Sequence, residues 1–376
     1  MKTDIFSSNK TDFLSCLEDI KLQINKNYDF LLFAIHPKFG YENINSSIIK
    51  IFNTNNYAAF HAIDAFKNNK ISETIVCLGI EFERKAKINT FYIEDIMQDK
   101  TSLQTTINYL NSNSNDFHIV LAGFANERFT YFIEEVSSKI NYYPVNNIIG
   151  GISSGIEKGE ELLTYQFIDN KIIKNGFMII SFENVEAVME ISLGFVPYGI
   201  TYRIQKVDGN KLQTVDGGRN FRDIIDSLLE GIENPDVKYL WYLPINILDE
   251  DDGYVSTLRT VADIEENSVK FFAPLKKGQK FKLSFATAYE LIAEDIKCAK
   301  NIKEHLKEID IAFNFSCIAR QYVLEDKQEE EIKKYTSILD SKLFGFFTFG
   351  EIGPDKQFKK LKLYNETSLI VGMREK

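Results

Sequence analysis

Three short stretches constrain the fold more than anything else in the chain: "YDFLLFAIH" (28–36), "TIVCLGIEF" (74–82) and "FHIVLAGF" (117–124). A strand with one wet face alternates apolar and polar residues. Runs this continuously apolar describe strands covered on both faces. Such strands need layers above and below, and helical stretches lie between and after them, in "NSSIIKIFN" (45–53), "IEDIMQDKTSLQTTINYLNS" (93–112) and "NERFTYFIEEVSSKI" (126–140). The alternation predicts a layered α/β fold.

A β-rich central passage follows, from about 162 to 217. "LLTYQFIDNKIIKNGFMIISF" predicts two strands around Asp169-Asn170, and "ITYRIQKVDGNKLQTVDG" predicts a hairpin turning at Asp208-Gly209-Asn210. At 376 residues the chain exceeds the size at which one core usually stops growing. Two layered α/β domains with mixed sheets are therefore expected, divided as 1–219 and 220–376. In the second, "NFRDIIDSLLEGI" predicts a helix, and "KYLWYLPIN" (238–246), "KFKLSFA" (280–286) and "DIAFNFSC" (310–317) predict strands. A helix between the last two repeats Ala288, Leu291, Ile292, Ala299, Ile302 and Leu306 on one face. The charge run "EDKQEEEIKKYTSILD" predicts another helix with a solvated face.

With 54 acidic and 44 basic residues, a net charge of −10 and no cluster of Lys or Arg, the chain is a poor partner for nucleic acid or an anionic membrane. It shows no signal-peptide core and no apolar run of membrane-spanning length, so a cytoplasmic protein is expected. Cys16, Cys77, Cys298 and Cys317 are far apart and form no C-x-x-C pair, which predicts reduced, mostly buried thiols.

Of the sequence patterns that carry chemistry, "GISSG" matches the G-x-S-x-G of serine hydrolases, with Ser153 as nucleophile. The pattern requires a helix after the serine, whereas "IEKGEELLTYQF" reads as a turn into a strand, so a hydrolase is not the expected function. "LDEDDGYVS" (248–256) fails the calcium-loop spacing, with glycine at the fifth position instead of the sixth and Thr260 at the twelfth. His36, His61 and His118 lie in or beside predicted strands without metal-site spacing, and packing explains them; one histidine would nevertheless suffice as an axial haem ligand. No dinucleotide or P-loop fingerprint occurs. The glycine-rich "IIGGISSG", with Gly150, Gly151 and Ser153, offers backbone N–H groups to an anion, and turn chemistry explains it equally well.

Three late apolar segments carry compact polar groups at their ends. They are "FNFSCIAR" with Ser316, Cys317 and Arg320, "FGFFTFGEIGP" with Thr348, Gly350 and Glu351, and "LYNETSLIVGM" with Asn365 and Thr367. The carboxyl ends of strands in α/β sheets are where ligands bind. If Arg320 and Glu351 converge there they form a pocket for a small zwitterion; the alternative is that they pair with each other.

These late segments resemble the closing signature of the FIST domain, with its phenylalanine-serine-cysteine then arginine motif, GF-x-T-x-GEI turn and late asparagine-x-threonine. "NNIIGGISSG", "NGFMIISF" and "SLGFVPYGITYRIQKVDGNKLQTVDGG" are similar to the family's N-terminal half. Where the family often has a glycine-cysteine-serine-threonine-like turn, this chain reads "NYAAFHAIDAF", with His61. The resemblance implies a sensory protein, not an enzyme, binding a small ligand such as an amino acid at the residues named above, or in some members haem for nitric oxide sensing. It predicts no other cofactor. The two halves take up the whole length, so output is expected through a separate partner such as a histidine kinase.

Overall fold

The computed structural model describes residues 1–72, 74–96, 100–123, 126–159, 161–233, 236–248 and 255–376. The acidic stretch at 249–254 lies outside them.

Each of three six-stranded mixed sheets is organised around one parallel pair joined through helix. Phe30–Ile35 and Tyr57–His61 are parallel neighbours connected by the helix Ile44–Phe52. Phe117–Ala122 and Ile148–Ile152 are connected by Asn126–Lys139. Ile311–Cys317 and Leu343–Thr348 are connected by Ile318–Leu324 and Gln328–Leu339. All six residues of Phe30–Ile35 are buried, and successive ones serve opposite layers. Phe30, Leu32 and Ala34 face the central core, while Leu31, Phe33 and Ile35 pack under the helices Phe13–Gln23 and Ile44–Phe52. The central core draws on all three sheets, including Phe60, Leu121, Ile180, Phe313, Phe346 and Val371. This double coverage is the physical reason the strands are apolar at every position.

The sheets ignore the middle of the sequence. Glu351–Pro354 and Leu361–Tyr364 extend the sheet that holds Ile148–Ile152, while Ala65–Lys67 and Lys70–Ser72 extend the sheet that holds Leu343–Thr348. An eight-stranded sheet pairs Val196–Asp208 with Lys280–Phe285, again joining early and late chain. A two-stranded ribbon, Ile156–Lys158 with Glu161–Leu163, pairs with none of the larger sheets.

The two strands expected around Asp169-Asn170 are three, Gln166–Ile168, Lys171–Ile173 and Phe177–Glu183, and local structure departs from the sequence reading in three further places. "KYLWYLPIN" begins as a 3-10 helix, Val237–Tyr242, capped by the Asp236 carboxylate on the Lys238 N–H, and becomes a strand only after Pro244, at Ile245–Leu248. The helix expected from 93 starts at Lys100, because Lys87–Ile93 is an edge strand paired with Phe177–Glu183. The charged helix Gln328–Leu339 is solvated on one face only; Glu331, Ile332, Tyr335 and Leu339 fall on its buried side.

Candidate functional site

The residues singled out at the ends of the late strands separate into two buried clusters. In the first, Glu351 opens the strand Glu351–Pro354, paired with Gly151, and Ile352 is paired with Gly150. Gly151 makes room for the turn at Thr348 and Gly350, and Gly150 for the neighbouring strand Phe117–Ala122. A Cβ on Gly151 would lie 2.5 Å from Cγ2 of Thr348, and one on Gly150 only 1.9 Å from the Val120 carbonyl oxygen. Gly350, at φ +156°, makes the turn between the two strands, and its carbonyl accepts from the Ile152 N–H at 2.8 Å.

Glu351 is fully buried and its carboxyl is saturated with donors. Thr348 Oγ1 donates to Oε1 at 2.5 Å, and the Thr367 N–H and Oγ1 donate to Oε2 at 3.2 and 2.6 Å. Burial nevertheless dominates and raises its pKa to about 8, against the hydrogen bonds from Thr348, Thr367 and Cys317. The Cys317 thiol is pushed well above its ordinary value, first by burial and then by Glu351 and Glu366.

Arg320 belongs to the second cluster and makes no ion pair with Glu351. Its Nη2 donates to both Asp295 oxygens at 2.8 and 2.7 Å, and its Nε donates to Glu331 at 2.9 Å. Ser316 Oγ lies 3.4 Å from the same Glu331 carboxylate, and Tyr335 donates to Asp295 at 2.7 Å. Burial opposes the guanidinium charge, but Asp295 and Glu331 outweigh it and hold the group protonated above its usual range. The pairing of Arg320 with Glu351 considered from the sequence is thus replaced by a triad. Its acidic members come from the helix Ala288–His305 and from the buried side of the charged helix.

Between these clusters and the ribbon lies a cavity of about 310 Å³. It sits where strands end: Cys317 closes Ile311–Cys317, Phe349 follows Leu343–Thr348, and Asn365 follows Leu361–Tyr364. Glu157 and Leu162 of the ribbon, Trp241, Thr260, Phe272, Ile318 and Ala319 complete the lining. Trp241 is fixed by its indole N–H on the Val261 carbonyl at 3.0 Å and by an edge contact with Tyr322. Asn365 is 3% exposed, and its Oδ1 is buried with no hydrogen-bond partner. Its neighbour Glu366, at φ +56°, accepts from Thr260 on Oε1 at 2.9 Å and leaves Oε2 buried and unpartnered. Burial raises the Glu366 pKa to about 8. An orphaned buried acceptor costs about 1–3 kcal/mol; of these two residues Asn365 lines the cavity, and Glu366 reaches it only through its bond with the lining Thr260.

Of the residues the sequence reading singled out, Cys317 and Asn365 line the cavity, whereas Thr348, Glu351 and Thr367 are buried against one another beside Gly150, Gly151 and Gly350, and Ser316 and Arg320 belong to the Asp295–Glu331 cluster. That reading missed Glu366, Thr260 and Trp241, although Glu366 stands between two residues it named. Ser153 is buried, accepts from Gln166 Nε2 at 3.0 Å, and is followed by the strand Ile156–Lys158.

The histidines do not fit an axial haem role as they stand. His61 engages the Gly40 carbonyl and the Tyr165 N–H through its two ring nitrogens. His118 engages Ser181 and the Asn113 carbonyl. His36 Nδ1 caps the turn at Pro37–Phe39 by accepting from the Lys38 N–H. None of the three lines the cavity, and burial lowers all three pKa values to about 4.

Residues 47–218 match the family model of the FIST N domain, and residues 223–354 match that of the FIST C domain. The chain is also similar to an uncharacterized protein of Aquifex aeolicus (strain VF5), at 32% identity over 67% of this chain and 97% of that protein. FIST domains are associated with sensory signal transduction. With both of its halves matched and a relative at this level of identity, the chain belongs to the FIST family.

Proposed function

We propose that this protein is a sensor that binds a small molecule in the cavity at Cys317 and Asn365 and signals through a separate partner, such as a histidine kinase, without turning its ligand over. One observation carries the reading: a cavity of about 310 Å³ at the carboxyl ends of strands, lined by Cys317 and Asn365. That volume is at the lower end of the roughly 300–1,000 Å³ usual for small-molecule sites. The wall draws on both family halves, Glu157 and Leu162 from the first and Trp241 to Phe349 from the second. A ligand there touches elements far apart in sequence, which suits a sensor.

The experiment is a thermal-shift screen of the purified protein against amines, amino acids and small carboxylic acids, run in parallel on Ala319→Phe, which fills the cavity. Binding adds RT ln(1 + [L]/Kd) to stability, about 2.7 kcal/mol at one hundred times Kd. At least one class is expected to raise the melting temperature of the native protein and not that of Ala319→Phe. A shift that persists in the filled variant, or no shift with any class, would refute the reading.

A further inference from the structure

Folding normally covers large apolar side chains, and around this cavity it stops short. Leu162 of the ribbon, Trp241 of the 3-10 helix, Phe272 after the strand Val269–Phe271, Ile318 at the start of Ile318–Leu324 and Phe349 after Leu343–Thr348 all line it, and each keeps part of its surface accessible. Single exposed apolar residues are ordinary on any protein. Five that converge from separate elements on one hollow form a patch of the kind that marks a binding groove. Three of the five are aromatic, and Trp241 and Phe272 already meet with ring centroids 6.3 Å apart.

The polar groups of the lining are spent inside the wall. Thr260 donates its hydroxyl to Glu366 at 2.9 Å, the Cys317 thiol hydrogen-bonds Glu351, and Asn365 Oδ1 is buried. The buried guanidiniums stay behind the wall: Arg320 pairs with Asp295 and Glu331, Arg259 donates to the carbonyls of Leu258 and Leu363, and neither lines the cavity. Among the described residues that do, Glu157 is the only Asp, Glu, Lys or Arg, and it stands exposed on the ribbon, paired across it with Leu162. A charged head carried inside would give up its hydration to groups already committed elsewhere. A head left beside the ribbon keeps its water.

We propose, resting on the sensor reading above, that the cavity recognises its ligand by an apolar ring seated among Trp241, Phe272, Ile318 and Phe349, with the ligand's polar or charged head left in water beside the exposed ribbon. The ligand class is thus an aromatic small molecule, selected by its body and not by its head group.

Trp241 is the one tryptophan of the chain, so its emission reports directly on the cavity. The test is a fluorescence titration of the full chain with 3-phenylpropionate, phenethylamine and 2-phenylethanol, which share a ring and differ in head, against propionate, ethylamine and ethanol, which carry the same heads without it. The ring compounds are expected to bind within about fivefold of one another, and each at least about tenfold more tightly than its ringless counterpart, the lower end for burying a Phe-sized group. Phe272→Ala, at a residue 38% exposed and so outside the core, should weaken all three by about threefold or more. Glu157→Gln should leave all three within about twofold, as an exposed charge at the rim requires.

A ringless compound that binds as tightly as its ring-bearing counterpart, ring compounds that bind with only one kind of head, ring binding unmoved by Phe272→Ala, a larger response to Glu157→Gln, or no binding of any ring compound would overturn the inference. Ala319→Phe separates the two levels. Binding of ringless heads that is lost in that variant removes only the ring assignment, whereas ring binding that survives in it removes the cavity itself.

Discussion

Glu351 and Glu366 share an unusual condition, a carboxyl buried so thoroughly that its pKa moves from the ordinary value of 4.5 to about 8. Between those values the folded protein retains a proton that the unfolded chain has released, so stability declines as pH rises through that window and levels off above it. Burial of His36, His61 and His118 has the opposite slope, but unfolded histidines are largely neutral above about pH 6.5. The carboxyls therefore dominate from about pH 6.5 to 8, where urea denaturation should show stability falling by up to about 1.4 kcal/mol per pH unit for each of them. Glu351→Gln and Glu366→Gln should each flatten that slope, and an unchanged slope in both would show that neither holds the proton.

Arg320→Ala should cost about 3–5 kcal/mol, because it strands Asp295 and Glu331 as buried charges; the denaturation midpoint measures this. The sequence marked Arg320, Glu351 and Thr367 because compact polar groups at strand ends are conspicuous. It hid Asp295 and Glu331 because a carboxylate inside a charged helix looks solvated until the helix is rotated onto its neighbours. Glu366 was equally hidden, since only the backbone turn at that residue decides which way it points.

At the scale of elements, Ile148–Ile152 places the Glu351 cluster through bare backbone on both sides: Gly151 admits Thr348 and Gly350, and Gly150 admits Val120 of the neighbouring strand Phe117–Ala122. Gly150→Ala should cost about 3 kcal/mol or more, the upper end for overpacking, because the obstructing atom is a carbonyl oxygen that cannot swing aside. Gly151→Ala meets a threonine methyl and should cost less. Urea midpoints for the two variants check the order. The strands covered on both faces were legible to within a few residues, since a short segment apolar at every position finds a dry environment for both of its faces only between two layers. "KYLWYLPIN" was not, because its apolar residues satisfy a 3-10 helix as well as a strand, and the Asp236 cap and Pro244 decide between them. The strand Lys87–Ile93 is an edge with only partial burial and so leaves a weak pattern.

At the scale of the whole molecule, the pairing of early with late strands accounts for one cavity taking its wall from distant parts of the chain, an arrangement no local pattern in the sequence announces. The ribbon formed by Ile156–Lys158 and Glu161–Leu163 occupies a special place in that arrangement. It contributes Glu157 and Leu162 to the cavity, yet its strands bond only to each other, and an isolated two-stranded pair is marginal in water. The ribbon is thus a wall without ladder bonds to the larger sheets, and one with an outward face. If the cavity is the sensing site proposed above, the ribbon would act like a dial needle, with one side against the ligand and the other turned outward. Amide hydrogen exchange in the described residues of 156–163 should slow on ligand binding more than in Ile311–Cys317, which is already locked in the core. Equal changes in both would mean that occupancy is not displayed on this side of the molecule.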